Sequence, residues 1–241
     1  MPNSAAANVA MAASEVRAPA ASPTRFRGLV PRVASAVILG PLLLAAVWYG
    51  FPWIDLVAAL CAPIMVGEWS RLLRGRPVAL GLAVLYALAA LLALLWLRHQ
   101  PVHGRETIIW ILACVWATDI GAYFIGSLAG GAKLAPSISP SKTWSGLVGG
   151  MCLSAVVSAA CGLIFDAGDT VVLALIGLVV AVVAQGGDLL ESAAKRRAGV
   201  KDSGSLIPGH GGVLDRIDGL IAALVFIAAI RLVTSGDWPW A

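Results

Sequence analysis

Four aspartates, Asp119, Asp188, Asp215 and Asp218, lie in or beside strongly apolar runs of this chain. A charged side chain at the centre of a membrane span costs about 2.5–3.5 kcal/mol, and less near an interface, so each carboxylate needs a reason. Asp215 and Asp218 are three apart, so a helix projects both from one side and turns Arg216 elsewhere. Asp188, Ser192 and Lys195 follow one another at spacings of four and three and form a second stripe. Carboxylates among other oxygen donors suit a hard cation such as Mg2+. The Lys and Arg beside them suit phosphate. Together they point to metal-assisted phosphoryl transfer. A structural use stands beside this one: an interfacial Asp can pair with Lys or cap a helix, as Asp215 could at the start of its span.

The stretch from Lys195 to Asp218 holds eight charged residues and five glycines. Within it, "GHGG" (Gly209 to Gly212) follows Pro208, and such a loop lets backbone N–H groups approach an anion. His210 is either a turn residue there or a chemical one. A second polar loop, "GGAKLAPSISPSKTWSG", runs from Gly130 to Gly146. Ser141 or Thr143 can cap the helix that follows, and a helix start beside Lys142 is an anion site. The same loop also reads as a Pro- and Ser-rich connection between two spans. Glu68 and Arg71 sit at the end of an apolar run at i,i+3 spacing and are expected to pair.

These residues must be positioned by membrane helices. The 241-residue chain is 59% hydrophobic and 12% charged, against about 25% charged in soluble domains. Spans are expected at about 33–49, 53–69, 78–97, 107–126, 144–165, 170–188 and 216–234. The fold class is therefore all-α, a polytopic bundle of about seven transmembrane helices. Residues 1–30 read as a disordered cytoplasmic tail without a secretory signal. Residues 31–105 form the N-terminal helices, and 106–241 the catalytic region with loops 127–143 and 196–215. With the N-terminus cytoplasmic, all of the 17 Lys and Arg except Arg98, Arg105 and Arg231 fall inside, as the positive-inside rule favours. The four aspartates then meet at the cytoplasmic face. Cys61, Cys114, Cys152 and Cys161 fall in apolar runs without a CxxC pair and are expected to be small buried hydrophobes. Glycines 146, 149 and 150 read as a helix-packing surface.

The run "SAAKRRAGVKDSGSLIPGHGGVLDRID", Ser192 to Asp218, resembles the signature of the phosphatidate cytidylyltransferases, also called CDP-diacylglycerol synthases. The resemblance rests on Ser192, Lys195, Arg196, Lys201, Asp202, Pro208, His210, Gly211, Gly212, Asp215, Arg216 and Asp218. The segment "DIGAYFIG" to "KLAPSISPSKTWSGLVGG" is similar to the family's middle region. The chain is short for that family, and Ser145 stands where its members commonly carry Glu or Gln.

The resemblance implies transfer of CMP from CTP to phosphatidic acid, giving CDP-diacylglycerol and pyrophosphate in phospholipid biosynthesis. It implies Mg2+, with a second cation beside it, on Asp188, Asp215 and Asp218. Lys195, Lys201 and Arg216 would act on the phosphates. Ser192, Arg196, Asp202, His210, Gly211 and Gly212 would hold substrate, with Asp119, Lys142 and Thr143 lining the same cavity. It further implies a homodimer in the inner (plasma) membrane with its site facing the cytoplasm, and no nucleic acid partner. Two other readings stand beside it. A CTP-dependent polyprenol or lipid-alcohol kinase would release CDP. A transporter would need carboxylates near the midplane on a path between both faces.

Overall fold

A computed structural model describes residues 29–207, 211–234 and 239–240, with the side chains of 29–34 and of residue 36 left aside. Among the described residues there are seven helices and one small hairpin: α1 (Leu29–Tyr49), α2 (Trp53–Leu72), α3 (Pro77–Arg98), α4 (Gly104–Ala129), β1 (Lys133–Ala135), β2 (Ser139–Thr143), α5 (Trp144–Phe165), α6 (Thr170–Arg197) and α7 (Leu214–Thr234). Six of them, α2 to α7, are long and apolar enough to cross a membrane, and the apolar stretch Val37–Tyr49 of α1 is shorter. The expected tail falls largely outside the described residues.

The surface of the bundle is apolar, as a chain solvated by lipid requires. On α3 the exposed side chains Val78, Leu82, Leu85 and Leu92 follow helical spacing and mark one lipid-facing stripe. Cys114 and Cys161 are buried, but Cys61 is only partly so and Cys152 is exposed. The expectation of four buried cysteines therefore fails at Cys152, because a lipid-facing thiol costs no more than another small apolar group.

Inside, helices meet through small residues and a few polar bridges. A Cβ added at Gly121 on α4 would lie 2.5 Å from the Gly149 carbonyl oxygen on α5, so the two backbones touch because neither position carries a side chain. Ser158 on α5 accepts a hydrogen bond from Trp110 Nε1 on α4 at 2.8 Å and donates to the Leu173 carbonyl on α6 at 2.5 Å. Ser154 donates to the Gly177 carbonyl at 2.9 Å. Three helices are thereby tied at a depth where an unmet polar group would be costly.

Two features depart from the expected elements. First, α6 continues to Arg197, nine residues past the end of its apolar run, so Ser192, Lys195 and Arg196 are helical. Second, the 127–143 loop contains an antiparallel hairpin, with Lys133 opposite Thr143 and Ala135 opposite Ser139. Its last residue, Thr143, caps α5 by accepting from Gly146 N at 3.0 Å. A second apolar cluster, including Met65, Trp69, Ala194 and Leu214, packs α2 and α3 against the ends of α6 and α7.

Candidate active site

At one end of the bundle α4, α6, α7 and the loop before α7 surround a cavity of about 370 Å3. Its lining comprises Asp119, Asp188, Asp202, Asp215 and Asp218 together with Ser192, Lys195, Arg196, Lys201 and Arg216. Residues up to about a hundred positions apart are brought together, and five carboxylates face four cations. Arg216, expected to point elsewhere, borders the cavity too.

The stripe on α6 forms as its spacing requires. Ser192 Oγ donates to Asp188 Oδ1 at 3.1 Å. Lys142, at the end of the hairpin, places its Nζ 2.5 Å from Asp188 Oδ2 and 2.7 Å from Gln185 Oε1. The hairpin thus delivers its cation to α6 from the side. Arg196 fastens the hairpin back onto α6, with Nε donating to the Ile138 carbonyl at 3.1 Å.

Lys195 Nζ lies 2.7 Å from Asp215 Oδ1 and 3.3 Å from Glu191 Oε1. The second oxygen of Asp215 accepts from Ser203 N and Gly212 N, each at 2.8 Å, and from Ser203 Oγ at 3.0 Å. Both oxygens of Asp215 are therefore engaged. Its carboxylate holds the loop with one oxygen and aims Lys195 with the other. Gly211, at φ 88°, has its missing Cβ 2.6 Å from Asp215 Oδ2, so a side chain there would displace that anchor.

Asp119, Asp188 and Asp218 are close enough to repel one another. Among the described residues no three acidic, His or Cys side chains form a ready-made chelating cluster. Carboxylates crowded around one cavity are nonetheless the donor set a hard divalent cation takes, with its remaining positions filled by water or phosphate oxygens. Asp119, Asp188 and Asp218 are of that donor type, with Asp188 already engaged by Ser192 at Oδ1 and by Lys142 at Oδ2. Asp215, whose Oδ2 accepts three hydrogen bonds from Ser203 and Gly212, fits the role of an anchor.

The other expected residues separate clearly. Lys142 reaches the site through Asp188. Thr143 is buried, serves as the cap of α5 and does not line the cavity. Gly211 and Gly212 lie beneath it, against Asp215. His210 lies outside the described residues. Three contributors escaped the sequence reading, Gln185, Glu191 and Ser203, and Glu68 was read there only as a partner of Arg71. Gln185 and Glu191 were within reach of it, since they stand three residues to either side of Asp188 on one helix. Glu68 does not pair with Arg71. It is buried while Arg71 is exposed, and it accepts instead from the loop before α7.

This polytopic membrane bundle gathers carboxylates and cations from three helices and one loop into one cavity, an arrangement suited to phosphate groups. Residues 76–234 match the sequence model of the cytidylyltransferase family, and the chain belongs to that family. It is 43% identical over 174 residues to the phosphatidate cytidylyltransferase of Brucella suis, covering 72% of this chain and 63% of that protein. It is 43% identical over 203 residues to the Pseudomonas aeruginosa protein of the same name, covering 83% of this chain and 70% of the relative. The Rickettsia bellii protein of that name is 34% identical over 211 residues, or 83% of this chain and 91% of its own length. The chain thus spans 63% of the Brucella relative but nearly all of the Rickettsia one.

Proposed function

We propose that this protein is a phosphatidate cytidylyltransferase. The observation that carries the reading is the single cavity in which Asp119, Asp188 and Asp218 meet Lys195, Arg196, Lys201 and Arg216, in a chain of the cytidylyltransferase family. A phosphate oxygen of phosphatidic acid attacks the α-phosphorus of CTP. A new P–O bond forms, the bond to the β-phosphate bridge breaks, and pyrophosphate leaves. The nucleophile is already anionic, so the site has no need of a strong general base. Its work is to position two anions and neutralise their charge.

Mg2+ held by Asp188 and Asp218, with Asp119 beside them, would supply charge neutralisation and polarise phosphate oxygens. Lys195, aimed by Asp215 and Glu191, points its ammonium at the same place. Arg216 and Lys201 meet the remaining phosphate oxygens, and Arg196 keeps the hairpin closed on α6. The reading also places the protein in the inner membrane with this cavity on the cytoplasmic face, where CTP is dissolved and the lipid phosphate lies at headgroup depth.

Product analysis tests the reaction. Purified protein in detergent, given phosphatidic acid, Mg2+ and CTP labelled at the α-phosphorus, is expected to yield labelled lipid and free pyrophosphate. Label retained in CDP, with the terminal phosphate moved to a lipid alcohol, would instead identify a kinase.

A further inference from the structure

Glu68 lies on α2, outside the segment matched by the family model, and is 3% exposed. Its Oε1 accepts from Val213 N at 2.9 Å, and its Oε2 from Leu214 N at 2.8 Å and Ser203 Oγ at 2.9 Å. Two of these donors are backbone amides at the start of α7, where a helix has no partners of its own for its N–H groups. A carboxylate there is favoured by the helix dipole, and its hydrogen bonds are charge-assisted. The fit leaves no space to spare. A Cβ at Gly212 would lie 2.5 Å from Glu68 Oε1 and 2.6 Å from Oε2.

Ser203 Oγ is 2.9 Å from Glu68 Oε2 and 3.0 Å from Asp215 Oδ2. One hydroxyl thus bridges two carboxylates, one on α2 and one on α7. Any shift of this junction moves the first turn of α7, and with it Asp215, Arg216 and Asp218. Lys195 follows through its contact with Asp215. Glu68 itself does not line the cavity.

We propose that Glu68 is a positioning residue: it pins Ser203, Val213 and the first turn of α7 from a separate helix, and so sets Asp215, Arg216 and Asp218 for the phosphates. The kinetic part of this proposal rests on the CMP-transfer reading above; the pinning does not.

Hydrogen exchange of the backbone amides tests it without requiring activity. Glu68→Gln keeps the shape but turns an amide NH2 towards N–H donors. Amides of Ser203 and of Gly212, Val213 and Leu214 are expected to exchange roughly tenfold faster or more, with those of α4 and α5 unchanged. CMP transfer is expected to fall about 100-fold, as for a displacement of about 1 Å at a reacting centre. Glu68→Asp, which retains the charge, restores part of both. Unchanged exchange at Ser203 and Gly212 to Leu214, or faster exchange with unimpaired transfer, would overturn the proposal. If Glu68→Gln exchanges faster throughout the chain, Ser203→Ala decides. It removes one donor and leaves the buried carboxylate on its two amides. Local acceleration with reduced transfer supports the proposal, and wild-type behaviour refutes it. Absence of CMP transfer in the wild-type protein would remove the proposed reaction and leave the exchange result to judge the pinning.

Discussion

Asp188 and Asp215 are both acids of one cavity, yet the structure gives them different work. Asp215 is paired with Lys195 at 2.7 Å, and their side chains are 5% and 10% exposed. Removing one partner of so buried a pair costs about 3–5 kcal/mol, here leaving Lys195 only Glu191 at 3.3 Å. Asp215→Asn is therefore expected to lower thermal stability in detergent as well as abolish CMP transfer. The Asp188 side chain is 31% exposed against Lys142, where an ion pair is worth about 1 kcal/mol or less. Asp188→Asn is expected to abolish transfer while the unfolding temperature stays close to wild type. Equal destabilisation by the two variants, read by thermal unfolding, would refute this division of roles. The residue scale was also where sequence reading was weakest. The donors to Glu68 lie 135, 145 and 146 positions away, and no local spacing records such a meeting. Ser203 is anonymous in sequence for the same reason.

At the scale of elements, the spans were legible because lipid demands continuous apolar runs, and expected and observed limits agree closely for 144–165. The end of α6 was misjudged because hydropathy stops near Asp188, although "LLESAAKRR" is rich in strong helix formers. The Asp188–Ser192–Lys195 stripe already implied a helix beyond that limit, and propensity agrees with it. The hairpin was hidden for a different reason. Its strands are three and five residues long and contain Pro140, so no alternation could show. The glycine surface gives an element-scale prediction. A Cβ at Gly149 would lie 2.9 Å from the Gly121 carbonyl oxygen and against the Ile125 side chain. Gly149→Val is expected to separate α4 from α5 at about 1–3 kcal/mol, read as a lower unfolding temperature; an unaltered one would contradict the packing. Thr143→Ala should cost about 1 kcal/mol through the α5 cap, with any loss of transfer tracking that loss of stability and not a contact to substrate.

For the whole molecule, the arrangement suits the proposed reaction, whose two substrates differ in solubility. The lipid-facing stripes hold the bundle in the bilayer, while the charged cavity opens at the end where α6 outruns its apolar run. The proposed topology, argued from the charge bias of the loops, puts that end on the cytoplasmic side. The cluster of Arg98, His103 and Arg105 lies at the junction of α3 and α4, away from the cavity. Single cysteines at Lys201 and Val102 should accordingly be labelled from opposite sides of the membrane by an impermeant thiol reagent. Labelling from the same side would overturn the proposed topology.

The central claim is that the gathered acids work as one cavity, open to the cytoplasm, that moves CMP onto a membrane lipid. Inverted and right-side-out membrane vesicles carrying the expressed protein can be given external CTP labelled at the α-phosphorus, with vector-only vesicles as background. The account predicts labelled lipid above background in sealed inverted vesicles, none in sealed right-side-out ones, and none in inverted vesicles carrying Asp188→Asn. Equal labelling in both orientations, or wild-type labelling by Asp188→Asn, would contradict it.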